Sequence, residues 1–191
     1  MRTVVATVAG IELELAAIED RLATVRRGPL GARLPAEHTA EGRTLRRWAV
    51  QLCAAELLVE QECRRRGLVA DDALPSARRP DLQSALGLGG VAAATLVRAR
   101  GARALAAALS ADVTVSDEEV RGYYERNLDL YADGDRPLGA VAAGIRAELA
   151  GHEQDRRFAD WLERAFHRDV RLSPGFEHPG EPGHPDSTHR H

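Results

Sequence analysis

Residues 3–10 of this 191-residue chain read TVVATVAG. Threonine and valine are β-branched and favour extended backbone, so residues 3–8 are predicted to form a strand. Ala9 and Gly10 bound this strand, and residues 11–13 are predicted to turn back against it. Apolar residues then recur at helical spacing as far as Gly28, namely Ile11, Leu15, Ile18, Leu22 and Val25. The start of the chain therefore predicts a strand that leads into an amphipathic helix.

The longest helix predicted in the first half covers residues 43–66, RTLRRWAVQLCAAELLVEQECRRR, and ends at Gly67. Its apolar stripe consists of Leu45, Trp48, Leu52, Ala55, Val59 and Cys63. Cys53 and Cys63 are separated by about 15 Å along this helix, because each residue adds about 1.5 Å. A disulfide requires Cα atoms within about 7 Å, so the two cysteines are predicted to be buried, unpaired thiols.

The second half of the chain predicts further helices and a closing strand. Residues 81–113 are helix-prone, but glycines interrupt them, which predicts two or three short helices. Ser116 and Glu119 form a capping-box pattern, so a helix is predicted to begin at Asp117. A turn, a last long helix and the short strand DVRLSPG follow. We expect one mostly α-helical domain with a small β-sheet, over residues 1–175, and a separate tail over residues 176–191.

Composition and charge exclude several classes of protein. The net charge is −3 and the isoelectric point is near 6.2, which argues against a nucleic-acid partner. The longest weakly polar run, residues 85–97, is too short to cross a bilayer, so no membrane partner is expected. Residues 1–22 lack the pattern of a secretory signal, which predicts a cytoplasmic protein. Association of the chain with itself is left open.

Four stretches together resemble a known family. They are TVVATVAGIEL, LRRWAVQLCAAELLVEQECRRRGL, VTVSDEEVRGYYERNLDLY and LGAVAAGIRAELAGHEQDRRFADWLERAFHRDVRLSPG. Their order is similar to that of SurA/PrsA-type peptidyl-prolyl isomerase chaperones, over about residues 3–68 and 113–175. The resemblance implies a SurA-like helical chaperone module in which a last strand around residues 170–172 pairs with residues 3–8.

The chain departs from that family in lacking a signal peptide, since most relatives work outside the cytoplasm, and above all in its middle. SurA/PrsA-type proteins carry a parvulin domain between the two matching halves, whereas only ADGDR, residues 132–136, lies between Tyr131 and Pro137 here. No isomerase residue can therefore be carried over from the family. The resemblance implies the chaperone module alone, with the parvulin domain absent.

The histidine-rich tail is a candidate metal site. His189 and His191 face the same side of an extended segment, and His184, with Asp186 or His178, could complete three or four ligands. Imidazole ligands suit zinc, copper, nickel or iron, so a divalent transition metal is the candidate cofactor. The alternative, which the sequence leaves open, is a solvated end of the chain without a ligand.

Four large aromatic residues are candidates for a ligand-binding cleft, in a chain with only 4% aromatic residues. Trp48, Tyr123, Tyr124 and Trp161 could bind an apolar peptide or a small hydrophobic molecule, with the tyrosine hydroxyls orienting it. Core packing is the alternative for each of them. Glu56, near the apolar stripe of the long helix, is a candidate catalytic base, or an acid at the edge of that stripe.

Three functional hypotheses follow from these residues. The first is a cytoplasmic SurA-like binding module without prolyl isomerase activity, which holds an apolar peptide or a hydrophobic small molecule. The second is a metal-dependent enzyme of specialised metabolism, in which the tail supplies metal ligands and Glu56 acts as base. The third is a scaffold that binds a protein partner and carries an inert tail.

Overall fold

The computed structural model of the protein describes residues 2–29, 31–68, 90–132 and 136–177. Over these residues the chain is mostly helical, with one three-stranded antiparallel sheet. In chain order the elements are β1 (Val4–Val8), β2 (Ile11–Glu14), α1 (Leu15–Arg27), a 3-10 turn (Gly31–Arg33), α2 (Ala40–Arg66), α3 (Gly90–Arg98), α4 (Ala102–Leu109), α5 (Asp117–Arg126), α6 (Asp129–Ala132), α7 (Leu138–Asp169) and β3 (Val170–Leu172). The predicted fold class, mostly α with a small sheet, is confirmed.

The sheet joins the beginning of the chain to its last described strand. Its order is β2-β1-β3, and β3 pairs with β1 in the register Ala6 to Leu172, Thr7 to Arg171 and Val8 to Val170. Beyond the ladder, the N–H of Ser173 donates to the carbonyl of Val5 at 2.9 Å. The pairing between the first and last strands that the resemblance implies is therefore confirmed.

The first two strands are joined by the tight turn predicted at Ala9 and Gly10. Both residues have positive φ, 45° and 86°, as the central residues of a type I′ hairpin turn do. Glycine tolerates this backbone conformation, whereas alanine adopts it at a cost because its Cβ crowds the following carbonyl. A register irregularity between Val4 and Ala6 marks a bulge in the same hairpin.

Helix α2 lies at the centre of the fold and begins earlier than predicted. Thr39 caps it by accepting a hydrogen bond from the N–H of Gly42, and Gly67 ends it with a φ of 65°. A Cβ at Gly42 would lie 2.0 Å from the carbonyl oxygen of Ala36, so only glycine fits this close approach. The cap at Thr39 therefore outweighs the poor helix propensity of Gly42, which explains the start at Ala40.

Two apolar clusters make up the core, and both use α2. One packs the second half of α2 against α3, α4 and α7, with Phe158 fully buried. The other packs β1, β2 and α1 against the first half of α2, with Val5 and Ile18 fully buried. Trp48, predicted within the apolar stripe of α2, is 38% exposed, so the core-packing alternative is wrong for this residue.

The remaining predicted helices are also present. After residues 69–89, α3 and α4 are short helices separated by Gly101, whose φ is 79°. The predicted capping box starts α5, and α7 runs directly into β3. No helix within the described ranges is long and apolar enough to cross a membrane.

Candidate functional site

A groove of about 950 Å³ runs between the segment that precedes α5, α5 itself and α7. Val113, Val115 and Leu149 give it an apolar part. The rest of the lining is mainly charged and includes Asp112, Glu118, Glu119, Arg126, His152, Glu153, Arg156 and Arg157. It is therefore a mixed apolar and charged site rather than an apolar cleft.

Helix α5 is held in place by its cap and by contacts with α7. The N–H of Glu119 donates to the Ser116 hydroxyl at 3.2 Å, and the Glu119 carboxylate accepts from the Ser116 N–H at 2.8 Å. From α7, Arg146 pairs with Asp117 at the first turn of α5. Further along, the Tyr123 hydroxyl bonds the Glu148 carboxylate at 3.3 Å. These contacts fix one side of the groove.

Residues 113–115 belong to no helix or strand and form a second side of the groove, with Val113 and Val115 half-buried. The N–H of Val113 donates to the carbonyl of Ser110 at 3.0 Å, and the carbonyl of Val115 accepts from Arg146 Nε at 3.3 Å. Thr114 lies between them and is exposed. Neither its N–H nor its carbonyl makes a hydrogen bond within the described part of the chain.

The charges at one end of the groove form a network. Arg157 pairs with Asp112 and with Glu153, and Arg156 also pairs with Glu153 at 2.8 Å. The hydrogen bond from Arg157 lowers the pKa of Asp112, and the hydrogen bonds from Arg156 and Arg157 lower the pKa of Glu153. Both carboxylates are therefore ionised and matched by arginines.

Two other charged residues of the groove lack such partners. Within the described ranges, the side chains of Glu118 and Arg126 make no hydrogen bond and no ion pair. Arg126 instead lies over Gly122, because a Cβ built on Gly122 would sit 3.0 Å from Arg126 Nη1 and 4.0 Å from its Nη2. Glu118, Gly122 and Arg126 are spaced four residues apart and therefore share one face of α5.

A second groove, of about 400 Å³, lies at the C-terminal end of α2 beside Trp161. Glu62 in its lining accepts hydrogen bonds from Arg65 and Arg66, which lower the pKa of Glu62 to about 2. Across the groove, Arg168 pairs with Asp169 at 2.6 Å. The arginines that line this groove each have a carboxylate partner on their own helix.

The four predicted aromatic residues do not share a cleft. Trp161 lies beside Phe158, with ring centroids 5.7 Å apart, and lines the second groove. Tyr123 bonds Glu148, which lies about 20 Å from Trp161 along α7 at about 1.5 Å per residue. Tyr124 stacks on Tyr131 at 5.3 Å and donates to the carbonyl of Arg136 at 3.0 Å. Trp48 lies near Gly90, at the start of α3.

Glu56, the predicted catalytic base, is held by an arginine of α1. Both terminal nitrogens of Arg21 donate to its carboxylate, one of them at 2.6 Å. This bond raises the pKa of Arg21. The nearby Cys53 thiol has a raised pKa because it is buried, and both cysteines are free and buried, as predicted. Glu56 therefore joins α1 to α2 through an ion pair.

The predicted metal ligands His178, His184, Asp186, His189 and His191 lie outside the described residues, so the metal site stays a prediction. Among the residues that are described, no group of three or more histidine, cysteine, aspartate or glutamate side chains is arranged to hold a metal ion. Of the histidines on α7, His167 is exposed and His152 is half-buried in the larger groove.

Sequence reasoning missed the residues of the larger groove. The signal nearest to it was the capping box of Ser116 and Glu119, which correctly predicted the start of α5. That motif reports local backbone structure, and nothing local indicates that α5 packs on α7. No sequence motif therefore marked Thr114, Glu118 or Arg126 as part of a site.

Comparison with known proteins gives one match. A family model described as a family of unknown function (DUF7158) matches residues 4–41, which hold β1, β2, α1 and the beginning of α2. No curated protein and no solved structure matches the chain. The resemblance to SurA/PrsA-type chaperones stays a prediction. The match ends in the first turn of α2 and leaves out the larger groove.

Proposed function

We propose that the protein is a binding module for an extended polypeptide segment, without prolyl isomerase activity, and that the segment lies in the groove between residues 112–115, α5 and α7. The observation that carries this proposal is the exposed backbone of Thr114. Its N–H and carbonyl have no partner among the described residues, and they border a groove of about 950 Å³. An extended peptide satisfies such groups by adding alongside them as a strand.

The neighbouring backbone groups support this arrangement. Val113 and Val115 use their N–H and carbonyl, respectively, for contacts with Ser110 and Arg146 of the domain. Thr114 makes neither of these contacts, and its N–H and carbonyl have no partner within the described ranges. The carbonyl of Val113 and the N–H of Val115 also lack a partner among the described residues, so the segment offers two donors and two acceptors to an incoming chain.

The lining of the groove favours a polypeptide over a small hydrophobic molecule. Sites for small apolar ligands are enclosed and lined mainly by hydrophobic side chains. Here charged side chains outnumber the three apolar ones, and four of them are already paired with each other. Such a surface accepts a chain that supplies backbone hydrogen bonds and side chains of both kinds. A polypeptide ligand also agrees with the chaperone module that the sequence resembles.

Two substitutions of one residue test the proposal. Thr114→Pro removes the free N–H, whereas Thr114→Ala keeps it, and neither breaks a described hydrogen bond of the domain. The probe is reduced and carboxymethylated lactalbumin, a permanently unfolded protein, and binding is followed by fluorescence anisotropy. A net backbone hydrogen bond contributes about 0.5–1.5 kcal/mol, so Thr114→Pro is expected to weaken binding about two- to tenfold.

The controls make this result specific. Thr114→Ala is expected to bind as the unchanged protein does, and the thermal unfolding midpoint of both variants is expected to stay within about 2 °C of it. Equal binding by Thr114→Pro and Thr114→Ala would show that the ligand does not add at this backbone. No binding of the unfolded probe by the unchanged protein would reject the function itself.

A further inference from the structure

The charged side chains that line the groove fall into two sets, those that are paired within the described part of the domain and those that are not. This difference determines which charges are available to a bound segment. Asp112, Glu153, Arg156 and Arg157 neutralise one another, and Glu119 is held by Ser116 in the capping box. A ligand gains little by competing for these groups, because it would have to break an existing pair. We therefore expect selectivity to come from charges that have no partner among the described residues.

Glu118 and Arg126 are such charges. Within the described ranges neither side chain is paired, and both line the groove from the same face of α5. Their α-carbons are about 12 Å apart along the helix axis, at about 1.5 Å per residue. One face of the groove therefore carries a negative site and a positive site at a fixed separation.

Gly122 sets the position of the positive site. The Arg126 guanidinium lies back over this glycine, one helical turn closer to Glu118 than its own α-carbon. The two charges are consequently separated by between about 6 and 12 Å, according to the rotamers that the side chains adopt. An extended polypeptide rises about 3.3 Å per residue, so this distance spans about two to four residues of the ligand.

We infer that the groove selects polypeptide segments that carry a basic and an acidic side chain about two to four residues apart, the basic one beside Glu118 and the acidic one beside Arg126. This inference rests on the proposed function and names the chemistry of the segment. Opposite charges placed in this way attract the ligand and fix its direction along α5, whereas the reversed order brings like charges together.

The experiment compares synthetic peptides of about eight residues in a threonine and serine background, which span the groove when extended. One peptide carries lysine then glutamate, about three residues apart, and a second carries the same pair in reverse order. A third replaces both by glutamine. Binding is measured by titration of ¹⁵N-labelled protein and observed at Thr114. One of the two charged peptides is expected to bind more tightly than the glutamine peptide. The expected gain is about two- to fivefold for each ion pair that the peptide forms with Glu118 or Arg126.

A double charge exchange gives the decisive control. In the variant Glu118→Arg with Arg126→Glu, the preferred order of the peptide charges is expected to reverse, which a merely structural role of these residues does not predict. Equal binding of all three peptides to the unchanged protein would overturn the inference and leave the proposed function standing. Failure of every peptide to bind would overturn both.

A matched pair of glycine substitutions tests the position of Arg126. Gly122→Ala places a Cβ 3.0 Å from the guanidinium and displaces it, whereas a Cβ added at Gly144 on α7 would have no atom within 4 Å. Gly122→Ala is expected to weaken the preference for the acidic side chain about twofold, and Gly144→Ala to leave it unchanged. The same loss in both variants would contradict the role given to Arg126.

Discussion

Ala9 carries a conformational cost in the hairpin of β1 and β2. Its φ is 45°, in the left-handed region, where an alanine is less stable than a glycine or an asparagine. Ala9 is exposed, so a longer polar side chain fits there. We predict that Ala9→Asn stabilises the protein by about 0.5–1 kcal/mol, measured by equilibrium denaturation in guanidinium chloride.

The neighbouring glycine supplies the opposite test. Gly10 has a φ of 86° and no atom lies within 4 Å of a Cβ built on it. Gly10→Ala is therefore expected to destabilise the protein by about 1 kcal/mol through backbone conformation alone. A loss of stability in Ala9→Asn would show that the turn does not bear this strain.

Residues whose role depends on near neighbours could be predicted from the sequence. Ser116 and Glu119 cap α5, and Gly67 ends α2, because each contact lies within a few residues of the chain. Glu56 was recognised as an acid near an apolar stripe, but its partner Arg21 is 35 positions away. No local pattern identifies that pairing, because it depends on how α1 packs on α2.

At the C-terminal end of α2, Glu62 joins two arginines of the same helix. Its side chain is 12% exposed, and the hydrogen bond from Arg65 contributes most to a pKa of about 2. In the unfolded chain a glutamate has a pKa near 4.3, so the folded state binds its proton more weakly. The stabilisation is therefore complete above about pH 4.5 and is lost as the pH falls towards about 2.

We predict that Glu62→Gln lowers the free energy of unfolding at pH 7 by about 1–2 kcal/mol, a range reduced for the exposure of Arg65. The difference from the unchanged protein should shrink as the pH is lowered from about 4.5 to 3, measured by urea denaturation at each pH. Glu60→Gln is the control, since Glu60 is half exposed and pairs only with Arg64 among the described residues. A difference that stays constant with pH would contradict this account.

Helices α4 and α7 are joined by a buried ion pair. Asp155 on α7 is 3% exposed and accepts a hydrogen bond from Arg103 at 2.5 Å. We predict that Asp155→Ala lowers the free energy of unfolding by about 2–3 kcal/mol, because it leaves a partly buried guanidinium without this carboxylate. Asp160→Ala, at a half-exposed position of the same helix, should cost less than about 0.5 kcal/mol in the same denaturation experiment. Equal losses in the two variants would contradict a special role for Asp155.

Elements could be predicted better than their boundaries. Apolar spacing indicated α1, α2 and α7, and in α1 it correctly predicted that Ile18 and Leu22 are buried. The same stripe was wrong for Val25, which is exposed, and for Ile11, which is exposed and lies in β2.

The start of α2 at Ala40 was missed because Gly42 is a poor helix former in general, yet here it packs against Ala36. Trp48 was assigned to the buried stripe of α2 by its spacing. Spacing identifies the apolar face of a helix, but it does not show how far along that face the neighbouring elements extend.

For the molecule as a whole, the closing strand is the main element to test. Val170 is buried, and Ser173 donates to the carbonyls of Val4 and Val5, at 2.8 Å through its hydroxyl and 2.9 Å through its N–H. We predict that a chain ending after Glu177 keeps its thermal unfolding midpoint within about 2 °C, because every described helix and strand and both Ser173 contacts are retained. A chain ending after Asp169 loses β3 and should unfold at least about 10 °C lower.

Differential scanning calorimetry distinguishes these outcomes. If the chain that ends after Asp169 unfolded at the same temperature as the full chain, β3 would not contribute to the stability of the domain. The chain that ends after Glu177 also tests the proposed function, because it is expected to bind unfolded lactalbumin as the full chain does. Loss of that binding would place part of the binding site beyond Glu177.

The closure of the sheet could be predicted, but the groove could not. The family resemblance implied that the last strand pairs with the first, and the register of Ala6 with Leu172 agrees. The groove depends instead on contacts such as that of Arg157 with Asp112, 45 positions apart, where α7 crosses the segment before α5. A sequence shows which residues are charged, and only the packing shows which of these charges remain unpaired.

The order β2-β1-β3 has a consequence for synthesis on the ribosome. Strand β1 is the central strand, yet one of its two neighbours is the last strand of the described chain. Translation adds about 5–20 residues per second, so β3 is made roughly 10 to 30 s after β1 and can pair with it only then. Until β3 is made, the edge of β1 that it will occupy is open and can pair with strands of other chains.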